Sequence, residues 1–392
     1  MNPTLNRAIV SIATMMATIL VILDVTIANV ALDHMRGTLS AGVDEITWVL
    51  TSFLVANAIS LPLTGWLTDL FGRKRLFMLA TLAFTLTSAA AGAAPSLVFI
   101  VIARFLQGLA GGPLVPLSQA TMMETFPAHQ RGMAMAIWGI GIMFAPIVGP
   151  TLGGFITDNW SWRWVFYINI PIGAAALLLA WLFLPESATE RPAVRRIDAP
   201  GLALLVIGVA ALQFVLDRGQ REDWFASPLI TWLAVMAAAA LVALVIRELT
   251  AEEPVVDLRV LRHPTFAIAT AAMFVISIAF YGIMVLSPLY TQILMGYTAM
   301  LAGMVLAPGG VATLITMPIA GALINRVDPR WIIAAGCALN AYAMYLMATL
   351  SLQANYWQIM LPRFVQGLGI GLSFVPLSTV ALTAVPMREL SH

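Results

Sequence analysis

Charge is what this chain has least of. Only 10% of its 392 residues are Asp, Glu, Lys or Arg, against about a quarter in a soluble domain. The formal net charge is +1, which leaves no basic surface for nucleic acid. Cysteine occurs once, at Cys337, so an internal disulfide framework and a cysteine metal cluster are both excluded. The four histidines, His34, His129, His263 and His392, show no ligand spacing. No metal and no cofactor is expected. An enzyme would need a cluster of nucleophile, base or metal ligands, and the sequence shows none. The first apolar run also lacks a small-residue cleavage site, so it reads as a retained helix.

What the chain has in excess is apolar surface. Hydrophobic residues make up 60% of it and the mean hydropathy is +0.92. Runs of about twenty apolar residues, enough for a helix to cross a bilayer, recur along its length. Twelve can be placed, roughly at 8–32, 46–67, 76–94, 97–123, 132–156, 163–184, 200–216, 228–247, 265–290, 299–324, 331–350 and 355–384. With the N-terminus in the cytoplasm, the inside connections collect fourteen Lys and Arg and the outside ones four, Arg36, Arg163, Arg218 and Arg221. That asymmetry predicts the orientation. Two arginines, Arg104 and Arg363, are left inside the membrane.

Those two arginines head a repeat. RFLQGLAGGPLVPLS at 104–118 returns as RFVQGLGIGLSFVPLS at 363–378, and Arg363 follows Arg104 by 259 residues. In each copy a glutamine, Gln107 or Gln366, stands three residues on, sharing a helical face with its arginine. The glycines beyond leave room for a second helix. Such a repeat predicts two related bundles with a site between them. The polar stretch 185–199 reads as a cytoplasmic connection. It divides a six-helix bundle (1–184) from an inserted two-helix hairpin (200–247) and a second bundle (248–392) that matches helices 1–4 of the first. The expected fold is therefore all-α, two pseudo-symmetric bundles with an inserted pair, the second bundle holding four of six helices.

Three further stretches carry candidate chemistry. LDVTIANVAL at 23–32 puts Asp24 inside the first span, where a carboxylate must face protein or water or be protonated. It is either a proton carrier or one half of a permanent ion pair. Asn29, a turn further on, either lines a cavity or satisfies a backbone carbonyl. GWLTDLFGRKR at 65–75 combines Gly65, Asp69, Gly72, Arg73 and Arg75. The basic residues alone would be an anchor, but the spacing of acid and glycines also suits an ion-pair latch. A weaker copy, GALINRVDPR at 321–330, puts Gly321 256 residues after Gly65 and Asn325 in the place of Asp69. In GIGIMFAPIVGPTLGG at 139–154, Gly141, Ala145, Gly149 and Gly153 recur every four residues, a small-residue stripe for close packing. Pro146 and Pro150 can bend that helix. The aromatic stretch WSWRWVFYINIP at 160–171 reads as an interfacial belt.

GWLTDLFGRKR resembles the signature loop of the major facilitator superfamily. RFLQG is similar to its helix-4 motif, and GPTLGG at 149–154 to its helix-5 antiporter motif. LDVTIANVAL, WRWVFYINIP and the inserted hairpin resemble the fourteen-helix drug:proton antiporters. NAISLPLTGW at 57–66, GPLVPLSQ at 112–119 and LQFVLDRGQREDWF at 212–225 resemble EmrB-type inner-membrane subunits of tripartite multidrug pumps. The resemblance implies proton-coupled export of hydrophobic compounds across a bacterial inner membrane, with a periplasmic adaptor and an outer-membrane channel as partners. It assigns proton coupling to Asp24 and Arg104, the latch to the 65–75 residues and the antiporter motif to Gly149, Pro150 and Gly153. Gln107, Gln119, Gln366 and Asn29 are candidate cavity residues. Asp33 stands where the family has proline. An importer or facilitator of a defined solute on the same fold, or a chain too short to transport, are the alternatives. With one interior carboxylate and two arginines, neutral or anionic hydrophobes are the expected substrates.

Overall fold

A computed structural model describes residues 3–184, 198–251, 254–255, 258–297, 299–324 and 326–383. The connection at 185–197, Asn325 and the end of the repeat beyond 383 lie outside the described residues. No strand occurs among the described residues. All twelve apolar segments are helical. They are α1 (Pro3–Leu39), α2 (Trp48–Ser60 with Thr64–Phe71), α3 (Arg73–Gly92), α4 (Leu97–Gly111 with Leu114–Thr125) and α5 (Arg131–Asn159). Then come α6 (Asn169–Phe183), α7 (Ala199–Arg218), α8 (Pro228–Thr250), α9 (Pro264–Leu289), α10 (Ala299–Leu323), α11 (Pro329–Ala348) and α12 (Tyr356–Thr383). Among the described residues, ten helices are long and apolar enough to span a bilayer. α2 adds an eleventh if its halves count as one span. α5, at 29 residues, is about 43 Å long.

Two boundaries differ from expectation. α2 is bent by 63° where Leu61, Pro62 and Leu63 interrupt it. Proline lacks the N–H and its ring crowds the preceding turn. α1 runs seven residues past its apolar stretch, because nothing there breaks a helix. It stops at Ser40, whose φ is 51°, and the Ala41 N–H donates back to the Arg36 carbonyl at 3.1 Å.

Packing divides the described residues into two units, one within Met1–Val30, Gln119–Phe155 and Leu261–Pro386, the other within Ala31–Ser118 and Ile156–Val260. In the second unit α4 lies against α2. A Cβ added to Gly108 would run into the Phe53 carbonyl and come within 2.8 Å of Ala56 Cβ; one added to Gly112 would sit 2.8 Å from Ser60 Cβ. The first unit contains the same crossing between α12 and α10. A Cβ on Gly367 would run into the Gly309 carbonyl and meet Ala312 Cβ at 2.9 Å; one on Gly371 would meet Thr316 Cβ at 2.8 Å. The glycines are related by 259 residues and their partners by 256. The repeat in the sequence is thus a repeat of contacts. Faces away from these crossings present side chains such as Val98, Ile268 and Trp232, each more than two-thirds exposed, as a bilayer solvent requires.

The inserted hairpin belongs to the second unit. Gly208 of α7 takes Leu241 of α8 at 2.8 Å from its would-be Cβ. α7 docks on α2 through Trp48 and Phe214, with ring centroids 6.1 Å apart, and Thr51 Oγ1 donates to Asp217 Oδ2 at 3.2 Å. At its other end Asp198 caps α7, accepting from the Gly201 N–H at 3.1 Å. The same carboxylate binds Arg247 of α8, with Nη2 at 2.6 Å and Nε at 2.8 Å. The hydrogen bond from Arg247 holds the Asp198 carboxyl below its ordinary value. A depressed carboxylate stabilises above its unfolded pKa, and that contribution is lost as pH falls through the folded one. Asp198→Ala is expected to loosen the hairpin, the lost cap alone costing about 1 kcal/mol. In thermal unfolding followed against pH, the gap between parent and variant should narrow on acidification through the carboxylate range.

Candidate functional site

Arg104 sits two turns into α4 with no solvent exposure. The structure shows how a guanidinium is kept there. Its Nη1 donates to Gln107 Oε1 at 2.7 Å, the i, i+3 partner read from the sequence. Its Nε donates to the Val49 carbonyl of α2 at 3.1 Å. Its Cζ lies 4.3 Å from the centroid of Phe53 and 5.6 Å from that of Phe166, both within cation–π range. Val49 and Phe53, one turn apart on α2, are brought to Arg104 by the glycine crossing at Gly108. Val49, Phe53 and Phe166 are partners of Arg104 that sequence reasoning missed. They are apolar side chains among apolar side chains, and only the fold distinguishes them.

The second copy repeats the pair. Arg363 Nη1 donates to Gln366 Oε1, and both residues are buried. Gln366, like Gln107, accepts from its own arginine through Oε1. Gln119 is half-buried, with its Nε2 3.9 Å from Met135 Sδ.

Asp24 lies in the first unit, fully buried near the middle of α1. The small-residue stripe of α5 grips the turn that carries it. Gly141 would place a Cβ 3.3 Å from Met15, and Gly153 one 3.1 Å from Ile27; at Gly149 a Cβ would strike Thr26 and lie 3.7 Å from Leu23. Ala145 is fully buried. Thr26 turns its hydroxyl hydrogen back to the carbonyls of Ile22 and Leu23, at 3.1 and 2.9 Å, so its donor is satisfied within α1 while its oxygen lies against Gly149 of α5. The helix runs unbroken through Pro146 and Pro150. Asn29, just beyond, is exposed. The contacts of α5 also extend further than the stripe read from the sequence. Gly132 and Gly139 face α10, where a Cβ on Gly132 would stand 3.0 Å from the Gly321 carbonyl and one on Gly139 2.7 Å from Met317 Sδ.

The 65–75 motif is a tight corner. Gly72 has φ 78° and ψ 147°, a conformation open to glycine at no steric cost. It accepts from the Leu76 N–H at 2.9 Å and donates to the Thr68 carbonyl at 2.8 Å. Gly72 thus joins α2 directly to α3. Gly65, Asp69 and Arg73 are half-buried at this corner, and Arg75 is exposed.

Ten membrane-length helices and a bent eleventh among the described residues, a glycine-crossed arginine–glutamine pair present twice, and a buried carboxylate on α1 define a polytopic membrane transporter. The chain belongs to the major facilitator superfamily, whose family model matches residues 14–392. It is 41% identical over 390 residues to the multidrug export protein EmrB of Escherichia coli K12, covering 98% of this chain and 75% of that one. It is 38% identical over 370 residues to the fatty acid resistance protein FarB of Neisseria gonorrhoeae, covering 94% and 72%. Among solved structures, the E. coli xylose transporter XylE in a partially occluded inward open conformation superposes with a TM-score of 0.63 at 16% identity, over 98% of this chain and 87% of that one. At that identity the likeness concerns the fold alone.

The α1–α5 contact generates a test. Gly149→Val puts a branched side chain against Thr26, at an overpacking cost of about 1–3 kcal/mol. Transport in vesicles should fall well below the parent at equal membrane abundance, while Gly154→Val, at a position open for at least 4 Å, should leave it intact.

Proposed function

We propose that this transporter exports hydrophobic compounds from the cytoplasm in exchange for protons, by alternating access across a bacterial inner membrane with the N-terminus inside. The observation that carries the reading is Asp24, a fully buried carboxylate at mid-span on α1, held by the α5 stripe that resembles the antiporter motif. A carboxylate whose surroundings differ between two conformations takes up a proton in one and releases it in the other, and that difference couples the two flows. Arg104 is the matching positive group on α4. The names of the relatives, multidrug export for EmrB and fatty acid resistance for FarB, support a hydrophobic and partly anionic substrate range.

In this reading residues 1–184 and 248–392 are the two halves that rock, 185–199 links them on the cytoplasmic side, and 200–247 is an accessory hairpin. Asp69, Gly72, Arg73 and Arg75 act as the latch of the inward side. A periplasmic adaptor and an outer-membrane channel would carry the exported compound onward.

The direct test is Asp24→Asn in proteoliposomes, with drug-induced proton movement measured alongside protein abundance. Exchange should fall at least tenfold, the scale of about 1.4 kcal/mol. A variant present at normal levels that still exchanges protons for drug would make Asp24 a structural residue. A parent that moves drug without any pH gradient would favour a facilitator instead.

A further inference from the structure

We infer that the second arginine–glutamine pair, Arg363 with Gln366, is an oxyanion site that receives the carboxylate of an apolar anion carried by the transporter. The inference rests on the export reading above and adds to it the residues that recognise the substrate's charge.

The two copies begin alike and are finished differently. In the first, Arg104 has Gln107 on one side, the Val49 carbonyl on Nε, and the face of Phe53 over its guanidinium. The same 256-residue offset that relates the crossing partners places Gly309 where Phe53 stands. No ring extends from that position toward Arg363. The Arg363 Nε and the Gln366 Nε2 then have no acceptor among the described residues, although the two residues are only 6% and 1% exposed. Arg363 pairs with no described carboxylate. Its one described partner is the Gln366 oxygen.

Leaving a buried donor unmade costs about 1–3 kcal/mol, and more when the donor is charged. Two such donors on one hydrogen-bonded pair therefore favour an occupant rich in acceptors. The Nε–H edge is the edge by which a guanidinium takes a carboxylate side-on, and a second donor on the adjoining amide extends the recognition. The immediate surroundings are hydrocarbon. Ile359, one turn before Arg363 on α12, packs with Val305 of α10 in a buried apolar cluster. A carboxylate on an alkyl or aryl body satisfies both halves of this environment. A dication satisfies neither.

The test uses the purified chain in lipid nanodiscs with dodecanoate and its methyl ester at pH 7.5. The wild-type protein should bind the acid about tenfold more tightly than the ester, the worth of a charge-assisted hydrogen bond. Arg363→Gln should close that gap. Gln366→Glu, which supplies a carboxylate to the guanidinium from within, should close it as well. Helical circular dichroism and monodispersity report whether each variant is folded. A wild type that binds acid and ester alike overturns the inference whatever the variants do, and so does a preference that survives in both folded variants. The pH-driven export of a neutral dye by the wild type is measured in parallel. Dye export without acid preference sinks the oxyanion site alone, whereas acid preference without dye export sinks the export reading.

Discussion

A guanidinium has no place inside an apolar helix bundle unless a neighbouring backbone comes close enough to accept from it. In this protein the approach is made by glycine. At Gly108 the α4 surface is bare, so the carbonyl of Phe53 and the methyl of Ala56 move into the space a Cβ would occupy. That contact brings Val49 and Phe53 of α2 onto Arg104. Remove it, and a charge with no solvent exposure loses its carbonyl and its ring together. Membrane helices gain little from hydrophobic association, because lipid is as apolar as leucine, so close packing must supply the stability. The glycines therefore fix where the helices cross and what the arginines meet.

The same economy recurs elsewhere. The α5 stripe meets α1 at the turn bearing Asp24, with Gly149 against Thr26 and Gly153 against Ile27. Nearer its N-terminus α5 meets α10 at Gly132 and Gly321. One helix thus touches two others through glycine, and one of those two is the helix whose turn carries the mid-span carboxylate. A transporter needs elements that move without melting. Helices packed through small residues can pivot with few side chains to rearrange, while their hydrogen-bonded ladders stay whole.

Much of this was legible in the residues. The apolar runs at 8–32 through 355–384 are all helices, the 259-residue repeat is a repeated crossing, and the spacing of Arg104 and Gln107 is a hydrogen bond. These signals survive because each depends on local geometry, helix periodicity or the absence of a side chain. What could not be read depends on tertiary contact. Phe53 and Phe166 look like any other apolar residue until they stand over Arg104. Gly309 looks like a packing glycine until it is set beside Phe53, its counterpart in the other copy. The break in α2 was announced by Pro62, but Pro62 lies in a run apolar enough to read as one span. The extension of α1 to Leu39 has no hydrophobic signature at all.

The measurement that bears most directly on the glycine crossings is the thermal stability of three single alanine variants in detergent. Alanine is worth up to about 1 kcal/mol more than glycine in a helix, so a glycine kept only by chance should gain from the change. Gly108→Ala and Gly367→Ala, each forced against a neighbouring carbonyl, should lower the unfolding midpoint by similar amounts. Gly154→Ala, with nothing within 4 Å, should match or exceed the parent. If Gly108→Ala and Gly367→Ala melt at or above the parent as Gly154→Ala does, the crossings are not what holds the arginines in place.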